Sequence, residues 1–134
     1  MKSRDTLIRL KRFQVEEKRR RVRQIEMMVA EFSRMIVDLD REIANEEKRA
    51  GISDTSHFAY PTYARAARTR RDNLTSSIGE LSGQVEEAKA AQEEAQAELH
   101  KFESLEGWKL FDRQLMQRDE KIVRALPRYE GVMS

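Results

Sequence analysis

The sequence predicts an all-α protein, namely a long antiparallel two-helix coiled-coil hairpin followed by a C-terminal helical extension. Three observations predict it. Glu, Lys, Arg, Ala and Leu dominate the 134 residues, 37% are charged, and there are only 5 Gly and 2 Pro, which is typical of long helices. Apolar residues recur with a heptad repeat in two separate segments. Finally, the charged residues fall into blocks of alternating sign. We therefore treat the chain as a single coiled-coil domain covering residues 1–134.

The first helix is predicted to cover about residues 3–50. Every seventh residue from Ile8 to Ala50 is apolar. Between Val22 and Ile43 a second apolar residue follows three positions after each of these, which gives the 3-4 spacing of a coiled-coil seam. No Gly or Pro precedes Gly51, which suits the first position after the C-terminal cap of a helix.

A turn is predicted at residues 51–60 and a second helix at about 61–106. The turn segment is the one aperiodic stretch before the C-terminal region, and Pro61 suits the first turn of a helix because its missing N–H has no partner there. The second helix carries a looser apolar seam formed by Ala67, Leu74, Ile78, Leu81, Val85, Ala88, Ala95, Leu99 and Phe102. The two helices are therefore similar in length.

The distribution of charge predicts that the two helices pair in an antiparallel orientation. Residues 1–23 carry a net charge of +7 and residues 74–106 carry −6, while residues 24–50 carry −3 and residues 61–73 carry +3. Folding back at the turn places each block beside one of opposite sign, and it brings the two strongest apolar seams together. Exposed ion pairs contribute little stability, so their expected role is to select this register.

The last part of the chain has a different heptad phase. Trp108, Leu115 and Ile122 form a new seven-residue series, and Gly107 stands where the two phases join. We therefore predict a kink or break near Gly107, a helical extension over residues 107–126, and a frayed tail over residues 127–134.

No pattern for catalysis or for cofactor or metal binding is found in the sequence. His57 and His100 are far apart, there is no Cys, and the glycines stand singly, so neither a metal-ligand cluster nor a phosphate-binding loop is expected. No apolar run approaches the length of a membrane-spanning helix. We expect a soluble, intracellular, non-enzymatic protein without a cofactor.

The basic run Lys18–Arg21 raises the question of nucleic-acid binding. The acidic block of the second helix is expected to face it, and no aromatic residue is interleaved for base stacking. We therefore expect no nucleic-acid partner. A basic nucleic-acid-binding adaptor remains one alternative function, and a generic structural coiled coil is another.

Apolar residues outside the seams are candidates for partner contacts. Leu10 and Phe13 lie on the helix face opposite the seam, and Phe58, Tyr60 and Tyr63 cluster at the turn. Local packing, such as an aromatic side chain that seals the end of the hairpin, is one explanation. The other is contact with a partner, because a lone hairpin has no third element to cover these groups.

Four segments resemble the flagellar type III export protein FliJ family, most closely its alphaproteobacterial branch. They read MKSRDTLIRLKRFQV at Met1–Val15, EKRRR at Glu17–Arg21, HFAYPTYA at His57–Ala64, and RRDNL at Arg70–Leu74. The turn motif and the segment that follows it are the most specific part. The resemblance covers about residues 1–103.

This resemblance implies a stalk-like accessory protein of flagellar protein export. Its implied fold is an antiparallel coiled coil similar to the central stalk of rotary ATPases. Implied partners are the hexameric export ATPase, whose assembly it would promote, the cytoplasmic domain of the export gate, and export chaperones. It would be cytoplasmic and associate with the inner membrane only through those partners.

The resemblance also assigns candidate binding residues to the two ends of the hairpin. At the base, the expected ATPase-binding residues are Arg4, Arg9, Leu10, Lys11 and Phe13, together with the region around Trp108. At the turn, the expected partner-binding residues are Phe58, Tyr60 and Tyr63.

The C-terminal region departs from the family pattern, with the sequence GWKLF at Gly107–Phe111 and a proline at position 127 where a continuous Ala- and Glu-rich helix is expected. Whether this region folds back onto Leu10 and Phe13 is left open by the sequence.

Overall fold

Three α-helices follow one another in the computed structural model, which describes residues 2–127. They are α1 (Lys2–Ala50), α2 (Thr62–Glu103) and α3 (Leu105–Ala125). The described part of the chain contains no β-strand, so the predicted all-α class is confirmed. The frayed tail predicted for residues 127–134 lies outside the described residues except for Pro127.

The end of α1 is formed as the sequence predicts. Gly51 has a positive φ of 69°, a conformation that glycine adopts without steric cost. The backbone N–H groups of Gly51 and Ile52 both donate to the carbonyl oxygen of Glu47, at 2.9 and 3.2 Å, as in the glycine-based caps of helix C-termini. On the far side of the turn, the carbonyl of Pro61 accepts from the N–H of Arg65 at 3.1 Å, and α2 begins one residue after the proline.

The break between the second and third helices was predicted at the wrong residue. It falls at Ser104 rather than near Gly107, so α2 ends at Glu103 and not near residue 106. The hydroxyl of Ser104 caps α3 by accepting from the N–H of Gly107 at 3.0 Å, which satisfies an N–H that has no partner within the helix. Gly107 therefore lies in the first turn of α3.

The chain divides into two compact units. The terminal unit comprises Met1–Glu16 and Glu93–Ser134, and the turn unit comprises Glu17–Gln92. Each unit has apolar residues that are buried from solvent.

In the turn unit, α1 and α2 pack through the predicted seams. One cluster joins Ile25 of α1 to Leu81 and Val85 of α2, and a second joins Leu39 and Ile43 to Ala67. Later residues of α1 thus contact earlier residues of α2, which is compatible with a hairpin.

Ion pairs in the turn unit follow the same order. The side chain of Arg71 lies 3.1 Å from the carboxylate of Asp40, and that of Arg68 lies 3.0 Å from Glu47. These contacts join the acidic block of α1 to the basic block of α2, as the charge pattern predicts.

The terminal unit is built around an aromatic core. Val15, Leu99, Phe102 and Trp108 are buried in it. The ammonium group of Lys11 lies 2.8 Å from the carboxylate of Glu98, which again pairs the early basic block with the late acidic block.

Candidate partner-binding surfaces

The turn between α1 and α2 exposes one large aromatic side chain. Phe58 is 96% exposed, and its ring stacks on the imidazole of His57 with 4.8 Å between ring centroids. The loop is held from within, because Asp54 accepts bonds from the Ser56 hydroxyl at 2.7 Å and from the Ser56 N–H at 3.0 Å. The bonds from Ser56 lower the pKa of Asp54. A structured loop therefore presents Phe58 to solvent.

Tyr60 performs a different role from Phe58, although both were predicted to bind a partner at the turn. Only 4% of Tyr60 is exposed. Its hydroxyl donates to Glu47 at 3.0 Å and accepts from Arg68 at 2.8 Å, while the guanidinium of Arg65 lies 5.3 Å from its ring centroid. Tyr60 packs inside the protein, so its ring is not available as a contact surface.

Glu47 is the centre of this network. It accepts from Arg68 at 3.0 Å as well as from Tyr60. The pKa of Glu47 is lowered, mainly by the hydrogen bond from Arg68 and to a smaller extent by that from Tyr60. The pKa of Arg68 is raised, mainly by its hydrogen bond with Glu47 and to a smaller extent by that with Tyr60. The network joins the last turns of α1 to the first turns of α2.

Tyr63 is half exposed and borders a shallow groove of the turn unit. Its hydroxyl donates to Glu42 at 2.9 Å, and this bond raises the pKa of Tyr63. The groove measures about 340 Å³ and is lined by residues of both helices, among them Met35, Leu39 and Ala67. Of the three aromatics predicted at the turn, Phe58 and Tyr63 are accessible and Tyr60 is not.

In the terminal unit, two of the predicted basic residues contact the chain itself. Arg4 donates to the backbone carbonyl of Glu103 at 2.7 Å. Lys11 pairs with Glu98 and also lies 5.2 Å from the ring centroid of Phe102. Both cations therefore hold the N-terminal part of α1 to the end of α2.

Trp108 is also part of the protein interior. It is 6% exposed, and its ring centroid lies 6.3 Å from that of Phe102 and 5.7 Å from that of Phe111. Its indole N–H has no hydrogen-bond acceptor among the described residues. The prediction that this residue forms part of a partner surface is not supported by its position, because neighbouring aromatic rings cover it.

The other residues predicted at this end are accessible. Leu10 is 48% exposed and Phe13 is 56% exposed, and Arg9 is exposed as well. The described part of the C-terminal region, up to Pro127, therefore leaves Leu10 and Phe13 open to solvent. On α3, large apolar side chains are also exposed, including Leu115, Met116, Ile122 and Val123.

Sequence reasoning missed a groove of about 390 Å³ in the terminal unit. Ala97, Phe102, Leu110 and Phe111 line it, with Glu94, Glu98, Lys101 and Gln114 among its polar residues. The signal that could have indicated it is the spacing of its α3 residues, which places them on one face of that helix; they are Gly107, Leu110, Phe111 and Gln114.

Neither a metal site nor a membrane span is found in the described part of the chain. No group of three or more His, Cys, Asp or Glu residues within residues 2–127 is arranged to hold a metal ion. No helix in that range is long and apolar enough to cross a bilayer.

Comparison with known proteins found no match for this chain among protein-family models, curated proteins or solved structures.

Proposed function

We propose that this protein is a non-enzymatic accessory protein of flagellar type III export. In this proposal α1 and α2 form an antiparallel coiled coil that acts as a stalk-like partner of the export ATPase and also contacts the export gate. Support comes from the resemblance of four segments to the FliJ family and from the order of contacts between α1 and α2 in the turn unit. The protein would work in the cytoplasm, at the inner membrane only through its partners.

The exposed apolar side chains are the observation on which the proposal depends most. Phe58 at the turn, and Leu10 and Phe13 on α1, are large apolar groups that stay exposed among residues 2–127. Aromatic residues such as Phe13 and Phe58 are enriched at protein–protein interfaces, and Leu10 extends the apolar surface beside Phe13. We assign Leu10 and Phe13, with the neighbouring Arg9, to the ATPase contact.

Phe58 is assigned to a second partner, the cytoplasmic domain of the export gate or an export chaperone. The loop around it is ordered by the bonds between Asp54 and Ser56. Binding therefore requires little ordering of the backbone, which lowers the entropic cost of association. Tyr60 supports this surface from inside by fixing the adjacent helix ends.

The ATPase contact can be tested with the purified chain and its cognate export ATPase. We expect the chain to co-elute with the ATPase and to increase ATP hydrolysis. The double variant Leu10→Ser/Phe13→Ser should lose both effects because it removes the exposed apolar contacts. Met28→Ser is a matched control, since Met28 is an exposed apolar residue of the turn unit. Absence of co-elution and of stimulation with the unaltered chain would disprove the ATPase role.

The turn contact can be tested with the purified cytoplasmic domain of the gate and with export chaperones. We expect Phe58→Ser to weaken binding by about tenfold or more, which is the loss expected when a single buried aromatic anchor is removed. It should leave stimulation of the ATPase unchanged. Equal binding by the Phe58→Ser and unaltered chains would exclude Phe58 as the contact.

The two alternative functions predict different results. A generic structural coiled coil would bind no export component in either assay. A basic nucleic-acid-binding adaptor would bind oligonucleotides with an affinity that falls steeply as salt is added. We expect no such salt-dependent binding.

A further inference from the structure

The outer side of α1 in the turn unit carries a second heptad pattern, separate from the core seam; at its edge Ala30 borders a groove shared with Val85 and Glu86 of α2. Its members are all exposed, and small or apolar residues alternate with basic residues along it. We call it the basic face; it consists of Ala30, Arg34, Val37, Arg41, Ala44 and Lys48. Val37 is 55% exposed. The side chain of Arg34 lies 3.5 Å from Glu31, within its own helix. This face is thus a regular stripe of apolar and basic residues that stays exposed among the described residues.

A stripe of opposite charge with the same spacing lies on α2 in the turn unit. We call it the acidic face, and it consists of Asp72, Ser76, Gly79, Gly83, Glu86 and Ala90, all exposed. Successive members of both faces are four, three, four, three and four residues apart, the spacing that keeps them on one side of a helix. The two carboxylates are separated by the same number of residues as Arg34 and Lys48.

The two glycines of the acidic face have no explanation within the chain. A Cβ atom added to Gly79 or Gly83 would have no atom of the described chain within 4 Å apart from the adjacent residues and nearby backbone of its own helix. Each glycine destabilises the interior of a helix by about 1 kcal/mol relative to alanine. Space at these positions is of use only to something that approaches α2 from outside, because a helix backbone without side chains permits close packing.

We propose that the basic face of one copy of this chain binds the acidic face of a second copy, with the two helices antiparallel. In one register of the two helices, each of the six residues of the basic face lies opposite one residue of the acidic face. Arg34 lies opposite Glu86 and Lys48 opposite Asp72, so both carboxylates meet a cation. Val37 lies opposite Gly83, and the long side chain of Arg41 lies over Gly79. Ala30 and Ala44 then lie opposite Ala90 and Ser76, and no large side chains collide.

This contact joins two different surfaces, so each added copy leaves one basic and one acidic face unoccupied. Association of this heterologous kind continues with concentration unless it closes into a ring. The two ion pairs of the contact, Arg34 with Glu86 and Lys48 with Asp72, make it sensitive to salt. The inference does not depend on the role in export, because the residues involved are separate from Leu10, Phe13 and Phe58.

The mass of the purified full-length chain, measured by sedimentation over a range of micromolar to millimolar concentrations, tests the proposal. We expect the mass to increase with concentration, and added salt to reduce the increase. Arg34→Glu/Arg41→Glu and Gly79→Arg/Glu86→Arg should each remain monomeric. An equimolar mixture of the two variants should associate again, because each variant retains the face that the other has lost and the two altered faces are also complementary in charge.

Matched controls carry the same charge changes outside the paired stretches. Arg20→Glu is one, since Arg20 also pairs with a Glu three residues before it in α1, at 3.6 Å. Glu94→Arg is the other, at an exposed position of α2 beyond the paired stretch. Both should associate as the unaltered chain does. A constant monomeric mass for the unaltered chain, or equal loss in the controls, overturns the proposal.

Disulfide cross-linking tests the register directly, because the natural sequence contains no cysteine. We expect a mixture of Val37→Cys and Gly83→Cys chains to form a covalent dimer under mild oxidation. Val37→Cys mixed with Ser76→Cys, one heptad away, should cross-link at least about tenfold less. Equal cross-linking of both mixtures, or none in either, contradicts the proposed contact.

Discussion

At the scale of single residues, three polar side chains near the turn form a closed hydrogen-bonded group: Glu47, Tyr60 and Arg68. Each of the three is bonded to the other two, and Tyr60 is buried. Arg68 is half-buried, so its pair with Glu47 is shielded from water more than most surface ion pairs are. This group fixes the helix ends beside the turn.

The lowered pKa of Glu47 predicts a pH-dependent contribution to stability. The unfolded chain binds a proton at Glu47 more readily than the folded chain, so the contribution is complete above the ordinary carboxyl pKa and is lost as the pH falls through the folded value. We expect Glu47→Gln to lower the melting temperature at neutral pH, and the difference from the unaltered chain to shrink below about pH 4.

Melting curves recorded by circular dichroism at several pH values would check this expectation. Glu31→Gln is the control, because Glu31 is exposed and its ion pair is with the exposed Arg34 of its own helix. A difference between the Glu47→Gln and unaltered chains that stays constant from neutral to acidic pH would argue against the role of the Glu47 carboxylate.

Trp108 has an analogous structural role in the terminal unit. Because it is buried against Phe102 and Phe111, we expect Trp108→Ala to reduce the free energy of unfolding by about 3–5 kcal/mol. Trp108→Phe should cost much less, since it retains an aromatic ring and removes an indole N–H that lacks an acceptor. Urea denaturation followed by circular dichroism measures both. Equal losses for the two variants would contradict this explanation.

At the scale of secondary-structure elements, the junction between α2 and α3 depends on Ser104 and Gly107. Ser104→Ala removes the cap and should cost about 1 kcal/mol of the free energy of unfolding, whereas Ser104→Asp should retain most of it. Gly107→Ala should also destabilise the junction, because its Cβ would overlap the carbonyl oxygen of Lys101 and lie 2.7 Å from the Ser104 hydroxyl. Denaturation curves of the three variants test this, and equal stability of all three would disprove the capping geometry.

Replacing either of the two glycines within α2 by alanine is expected to stabilise the chain, unlike the same change at Gly107. Gly79→Ala and Gly83→Ala should each raise the free energy of unfolding by about 0.5–1 kcal/mol, because open space surrounds both positions. Denaturation at low protein concentration isolates this effect from any self-association. Gly51→Ala is the informative contrast and should destabilise the chain, since its φ is positive. A loss of stability in the Gly79 and Gly83 variants would show that these glycines serve the monomer.

Most of the elements could be predicted from the sequence, because they depend on periodicity and on strong helix-stopping signals. The seam residues Val15, Val22 and Ile25 are buried as expected, and Gly51 ends α1. The α2–α3 boundary was missed because a glycine in the first turn of a helix resembles a helix break in the sequence, and Ser104 shows its capping role only when its hydroxyl is seen beside the N–H of Gly107.

The candidate sites were harder to predict because exposure depends on three-dimensional contacts. Phe58, Tyr60 and Tyr63 look equivalent in the sequence, as three aromatic residues close to one turn. Only Tyr60 lies where a carboxylate from α1 and a guanidinium from α2 converge on its hydroxyl. Likewise, the neighbouring sequence does not show that the side chain of Trp108 is buried and that of Phe13 is exposed.

At the scale of the whole molecule, the small net charge of +2 results from 26 basic and 24 acidic residues that are arranged to pair locally. Ion pairs of this arrangement occur in both units, between Lys11 and Glu98 in the terminal unit and between Asp40 and Arg71 in the turn unit. Each exposed pair contributes about 0.2–1 kcal/mol, so the apolar seams supply most of the stability and the charges choose the register.

The position of Trp108 also gives the molecule an internal spectroscopic reporter. It is the only tryptophan among the 134 residues, and it lies in the aromatic core of the terminal unit. Its emission therefore reports on that unit alone, whereas far-ultraviolet circular dichroism reports on the helices of both units. With no added label, one unfolding experiment can record both signals, and whether the two transitions coincide establishes whether the units melt as one cooperative body or in sequence.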